Sequence, residues 1–131
     1  MSWIAYFVVL SLAHLAGDFL LQTNHQAMHK VGGLGRDPVA RRALFGHIST
    51  YAVPIIGALI WIGGRRPHGI TALAGALILL EHLVQDDGRL LASFCLHVKR
   101  MDVTEWSDVA IWVDQTFHLL ALFGAALLLT A

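Results

Sequence analysis

The chain has 131 residues, 56% of them hydrophobic and only 14% charged, where a soluble domain carries about a quarter charged residues. Nine Lys and Arg balance nine Asp and Glu, so no basic surface speaks for nucleic acid, and none is expected as a partner. The composition is that of a membrane protein, and its anomaly is eight histidines, because imidazole binds metals and moves protons near neutral pH.

Trp3 to Leu21 is apolar except for His14, Asp18 and small residues, and at about 1.5 Å per residue it nearly crosses a hydrocarbon core of about 30 Å. Met1 to Leu12 lacks the Lys or Arg of a signal-peptide n-region, so this is read as a retained span. Thr23 to Arg42 turns polar; Gly32, Gly33 and Gly35 break any helix and Asp37-Pro38 favours a new helix start. A loop of about twenty residues, with short interfacial helices at its ends, is expected. Ala43 to Ile62 is the second span, carrying His47 and a Pro54 capable of kinking it. Gly63 to Pro67 makes a tight turn.

The third span runs from about Ile70 to Asp86, and its Ala72, Ala74, Gly75 and Ala76 let another helix approach closely. Gly88 to Val103 reads as a polar connection, after which Asp102 followed by Glu105 resembles a capping box. The fourth span ends at Leu129. Trp3, Trp61, Trp106 and Trp112 lie near span ends, at the headgroup level. Cys95 has no partner in the chain and reads as a small apolar residue.

The predicted fold class is all-α, a polytopic integral membrane protein built as an antiparallel four-transmembrane-helix bundle. One membrane domain is expected over 1–131, with spans at about 3–22, 43–62, 70–86 and 105–129. Lys30, Arg36, Arg41 and Arg42 in the first loop and Arg89, Lys99 and Arg100 in the third oppose only Arg65 and Arg66 in the second. Positive charge stays on the cytoplasmic side, so both termini of a multi-pass protein are expected outside.

Three pairs stand inside the greasiest sequence: His14 with Asp18, His82 with Asp86, and Asp114 with His118. Each is spaced i, i+4, which sets both side chains on one helix face. Measured from the cytoplasmic span ends, Asp18 and His14 lie roughly 6 and 12 Å deep, His47 about 6 Å, and Asp114 and His118 about 8 to 18 Å. His82 and Asp86 close the third span. All four spans thus offer groups to one leaflet, and intramembrane ionisable groups mark function.

This mixed set of imidazoles and carboxylates is of a kind that binds a divalent metal, with zinc expected first and Mn or Fe as alternatives. Bundle metal sites are built this way from facing helices. Expected ligands are His14, Asp18, His47, His82, Asp114 and His118, some Asp serving instead to orient an imidazole. Asp86 or Glu81 is expected as proton acceptor. The rival readings are a proton relay, and buried hydrogen-bonded couples that fix packing.

Other residues are weaker candidates. Asp87 is an alternative to Asp86 as the inward group. Asn24, His25 and His29 suit a solvated loop or a surface extension of the site, and His68 and His97 read as loop residues. Gln22 and Gln115 suit orienting a ligand. Arg41, Arg42 and Arg89 read as topology signals rather than substrate clamps.

His14-Leu15-Ala16-Gly17-Asp18-Phe19-Leu20-Leu21-Gln22, the early His47, the pair His82 and Asp86, and Asp114-Gln115 with His118 together resemble a bacterial and phage family of small integral membrane proteins known as domain of unknown function 3307. The likeness covers nearly the whole chain and implies a polytopic inner-membrane protein, with no activity to carry over. Members tend to have Lys soon after the third-span Asp, where this chain has Gly88 and Arg89. A looser likeness is to membrane-bound metal-dependent hydrolases with intramembrane His and Asp. The leading expectation is a metal-dependent hydrolase acting on a lipid or amphipathic substrate from the cytoplasmic leaflet, in contact with the bilayer; a homo-oligomer is expected if the chain is instead a transporter element. The alternatives are a proton or divalent-cation transporter element and a non-catalytic membrane partner.

Overall fold

A computed structural model of the chain describes residues 2–103 and 107–131. Among these there is helix and no strand. Helix α1 spans Trp3–Leu15 and widens into a π-helical stretch at Ala16–Leu21. Short α2, Asn24–His29, starts on a capping box in which Thr23 and Gln26 exchange side-chain-to-backbone hydrogen bonds. Helix α3 is Pro38–Gly63, α4 is His68–Asp86, α5 is Arg89–Phe94 with a π-helical extension at Cys95–Lys99, and α6 is Ser107–Leu128. Four of these elements are long and apolar enough to cross a membrane: 3–21, 38–63, 68–86 and 108–128.

Two boundaries depart from the sequence reading. The second span begins at Pro38 rather than Ala43, because the Asp37 side chain caps the amide of Val39 and proline at the first turn needs no amide partner; the helix then runs through Pro54 without a break. The polar connection after α4, with His97 expected in a loop, is helical over Arg89–Phe94 and Cys95–Lys99. Gly88, at φ +78°, takes the left-handed turn that ends α4, and α5 begins at the next residue. Glu105 and Trp106, the second half of the expected capping box and one expected headgroup tryptophan, lie outside the described residues. Trp3, Trp61 and Trp112 all face outward, with Arg65 stacked 4.4 Å over the Trp61 ring.

The helices pack as a ring, α1 on α3 and α6, and α4 on α3 and α6. The polar pairs come late in α1 and its π-helical extension, late in α4 and early in α6, and His47 comes early in α3, so the same ends meet. Toward the other end lies an apolar core of Tyr6, Leu10, Ile55, Ile62, Ile78, Leu122 and Leu129, none more than 1% exposed. Association of apolar helices in lipid rests on close packing more than on exclusion of water. Gly17 illustrates this, since a Cβ there would stand 2.5 Å from Cδ2 of Tyr51. Of the small residues in α4, Ala74 and Gly75 are buried while Ala72 and Ala76 face out.

The segments between α1 and α3 and after α4 lie together over the polar end. Gly32 N–H donates to the carbonyl of Asp87 and Leu34 N–H to its carboxylate. Arg89 pairs with that same carboxylate. The Arg89 guanidinium beside it holds the Asp87 carboxyl below the usual carboxylate range. Asp87 is therefore a tie between two connections, and Asp86 is the residue that turns inward.

Candidate metal centre

His14, His47, His82 and His118 come from four different helices and are each at most 1% exposed. Asp18 and Asp86 are buried with them. The cause is the one that the sequence suggested: each helix has a single polar face at one depth, and only mutual contact hides it from lipid.

The tightest set is Asp18, His47, His82 and Asp86, a group able to hold a metal ion. His47 Nε2 lies 3.1 Å from His82 Nε2, 3.2 Å from Asp18 Oδ1 and 2.9 Å from Asp86 Oδ2. His82 Nε2 lies 3.1 Å from Asp18 Oδ1 and 3.3 Å from Asp86 Oδ2. These five separations, 2.9 to 3.3 Å, suit atoms that share one ion at about the 2.0–2.2 Å of zinc to imidazole nitrogen or carboxylate oxygen. Asp18 Oδ1 is buried without a hydrogen-bond partner although two imidazole nitrogens stand within 3.2 Å. Four atoms converging in this way, one of them unsatisfied by hydrogen, suit a cation at their centre.

The π-helical stretch brings Asp18 to that set. His14 and Asp18 share a face by spacing, yet their closest atoms stay 3.7 Å apart, and the widened turn directs Asp18 toward α3 and α4. Such bulges are frequent at functional sites.

His14 stands beside the four-group set rather than in it. Its Nε2 meets Oε1 of Gln115 at 3.0 Å and its Nδ1 meets the Tyr51 hydroxyl at 3.1 Å. The amide oxygen can only accept, so the imidazole hydrogen is on Nε2 and the Tyr51 O–H donates to Nδ1. Gln115 completes the chain by donating from Nε2 to Asp18 Oδ2 at 3.2 Å. Tyr51, His14 and Gln115 thus form a line of hydrogen bonds that ends on one carboxylate oxygen and leaves the other for the centre. Gln115 was legible as an orienting group; Tyr51 was missed, though it sits four residues after His47. Its ring also stacks on His82, centroids 3.5 Å apart and 4° from parallel.

A second group able to hold an ion is Asp86, Asp114 and His118. His118 Nε2 is buried without a hydrogen-bond partner, 3.6 Å from Asp114 Oδ2 and 3.7 Å from Asp86 Oδ1. His118 Nδ1 faces His82 Nδ1 at 3.3 Å and Glu81 Oε1 at 3.4 Å. Proton placement couples the two groups. If His82 gives the Nε2 lone pair to an ion, its hydrogen is on Nδ1 and donates to His118 Nδ1, which moves the His118 hydrogen to Nε2. His118 then orients a ligand instead of serving as one.

Lys30 was read only as a topology charge. Its ammonium lies 2.8 Å from Asp86 Oδ2, the oxygen that also faces His47 and His82. With the Gln22 amide turned so that both its ends are satisfied, its oxygen also accepts from Lys30 at 2.8 Å. His25 and His29 stack on each other on the outer face of α2, both exposed, and His68 and His97 are exposed as well. Arg41 binds the carbonyl of Gly35. Among the described residues, no hydrogen bond or ion pair joins these last five to the buried set.

A family model described as "Protein of unknown function (DUF3307)" matches residues 6–131. No curated protein and no solved structure matches the chain.

Proposed function

Because the chain belongs to this family of unknown function, which brings no activity with it, we propose from the geometry that the protein is a membrane-embedded metalloenzyme that hydrolyses a lipid or amphipathic substrate. The observation that carries the metal reading is the convergence of Asp18 Oδ1, His47 Nε2, His82 Nε2 and Asp86 Oδ2, all within 4.8 Å of one another. Two imidazoles with two carboxylates suit zinc first, and Mn or Fe next. One ion per chain is expected. A second ion on His118 Nε2 would require hydrogens on both Nδ1 atoms, which stand only 3.3 Å apart.

Bound there, a divalent ion lowers the pKa of a water molecule and polarises a carbonyl or phosphoryl oxygen. The chain's residues supply the rest. Tyr51, His14 and Gln115 hold Asp18 in orientation, His118 fixes the hydrogen of His82, and Glu81, beside His118, takes up a proton at the margin of the site. Asp86, expected as a proton acceptor, is reassigned in this reading to the ligand set. Lys30, 2.8 Å from Asp86 Oδ2, sets a positive charge beside the residues that would hold the ion.

Hydrolysis is favoured over ion transport by what lies beyond the layer. The other half of the bundle is the packed, mainly apolar core of Leu10, Ile55, Ile62 and Leu122, so among the described residues an ion held in the layer meets no further buried imidazole or carboxylate onward. The excess of Lys and Arg beside the polar end supports a cytoplasmic orientation for it, with the termini outside.

Elemental analysis of the full chain purified in detergent tests this reading. One zinc per chain is expected, falling below about a tenth in His82→Ala and Asp86→Ala. Natural protein without stoichiometric metal overturns the proposal. Metal-loaded protein that leaves ester and phosphoester bonds intact in phosphatidylethanolamine and phosphatidylglycerol vesicles keeps the metal reading and removes the hydrolytic one.

A further inference from the structure

Two apolar clefts on the outside of the bundle share one residue, Glu81. One, of about 360 Å³, is lined by Glu81, Gln85 and the apolar Val84, Leu90, Leu91, Phe94 and Phe117, between α4, α5 and α6. The other, of about 320 Å³, continues along α4 and α6 past Leu77, Ile78, Ala121, Gly124, Ala125 and Leu128. Glu81 is the sole charged residue lining either of them. A quarter of its side chain is exposed, and its Oε1 is buried without a hydrogen-bond partner, 3.4 Å from His118 Nδ1.

A carboxyl group that faces a hydrocarbon cleft is costly unless something donates hydrogen bonds to it. Glu81 Oε1 is left without a hydrogen bond; its neighbour His118 Nδ1 stands 3.4 Å away and is shared with His82 Nδ1 at 3.3 Å. A bare acyl chain of the bilayer would fill the apolar walls but leave the carboxyl unanswered. The chemistry therefore selects a molecule with both parts. We propose that the α4–α6 cleft binds the hydrocarbon chain of a single-chain amphiphile whose polar end, a hydroxyl or ammonium, donates to Glu81. Small residues make the room: a Cβ added at Gly124 meets no atom within 4 Å, so α6 leaves a channel where a larger side chain would close it.

This deepens the proposed function by naming how an amphipathic substrate reaches the site, and it rests on that reading only for what happens next. The chain lies along the lipid-facing cleft, the polar end meets Glu81, and His118 links that point to His82 and the centre. Entry is sideways from the membrane, consistent with the apolar lining on both sides of Glu81.

The test uses the full chain in phosphatidylcholine nanodiscs with a long-chain alcohol bearing a diazirine, and its methyl ether as a probe that accepts but cannot donate. Photolabelling of α4 and α6 by the alcohol is expected to exceed that by the ether at least tenfold. Gly124→Phe should abolish the labelling with zinc content unchanged, and Glu81→Leu should erase the preference for the alcohol. Equal labelling by the two probes, or undiminished labelling of Gly124→Phe, overturns the proposal. So does a dimer that Gly124→Phe dissociates, since the cleft would then be a helix interface. Alcohol-selective labelling in a chain that binds no metal supports the cleft while removing the metalloenzyme reading, so the two fail separately.

Discussion

The Lys30 ammonium reaches 2.8 Å from Asp86 Oδ2, across 56 residues of sequence. It places a positive charge on an oxygen that also belongs to the four-atom set around the centre. At about 4 Å in a medium of effective dielectric near 20, two unit charges interact by about 4 kcal/mol. Lys30 therefore competes with a divalent ion for Asp86. Lys30→Met is expected to tighten zinc binding at least tenfold, read by competition against a chromogenic chelator in micelles. Unchanged or weaker binding would mean that Lys30 serves to hold the carboxylate in place.

The line from Tyr51 through His14 and Gln115 to Asp18 gives a graded expectation. Tyr51→Phe removes one donor from His14 Nδ1 and keeps the ring on His82, so it should cost about 1 kcal/mol. Gln115→Leu strands both His14 Nε2–H and Asp18 Oδ2 and should cost about 2 kcal/mol or more, with weaker zinc binding because Asp18 is free to turn. Thermal unfolding followed by circular dichroism ranks the two, and the opposite order would remove Gln115 from this role.

Gly17 is where α1 meets Tyr51. Gly17→Ala forces a Cβ to 2.5 Å from Cδ2 of that ring, an overpacking worth about 1–3 kcal/mol, and pushes on the ring that stacks on His82. Gly57→Ala, where the added carbon meets nothing within 4 Å, is the control and should be neutral or slightly stabilising. If the two variants melt together and bind zinc equally, the close approach at Gly17 has no bearing on the centre.

Asp87 ties the two connections through the amide of Leu34 and pairs with Arg89. Its carboxyl is held below the usual range, first by Arg89. A depressed folded value contributes stability that is complete above the unfolded value of about 3.9 and fades as pH falls through the lower folded one. The melting temperature of the natural chain should therefore exceed that of Asp87→Ala by a constant margin from about pH 7 to 5, narrowing below about pH 4. A margin that already narrows at pH 6 would place the titrating group elsewhere.

Much of this architecture is written locally. Apolar runs of membrane length, the turn at Gly63 to Pro67 and the Asp37-Pro38 cap all follow from neighbouring residues, and helix in lipid satisfies its backbone within the same segment. The polar layer was legible for the same reason: a residue's depth along a helix is its distance from the helix end, at 1.5 Å per step. That reasoning brought His14, Asp18, His47, His82, Asp86, Asp114 and His118 to one level.

Depth is not rotation. Which nitrogen faces which oxygen depends on how four helices turn about their axes, and that is decided by packing such as Gly17 against Tyr51 and by the π-helical stretch at Ala16–Leu21. Only the tertiary structure could draw His47 and His82 with Asp18 and Asp86 into one set, leave His14 to Gln115 and Tyr51, and set Asp86 inward while Asp87 ties the connections. Lys30 had no local signal at all, because its partner lies 56 residues away. The sequence by itself determined that buried charge gathers at one end of the helices, since lipid admits it nowhere else; the rotations of the helices decided which atoms meet there.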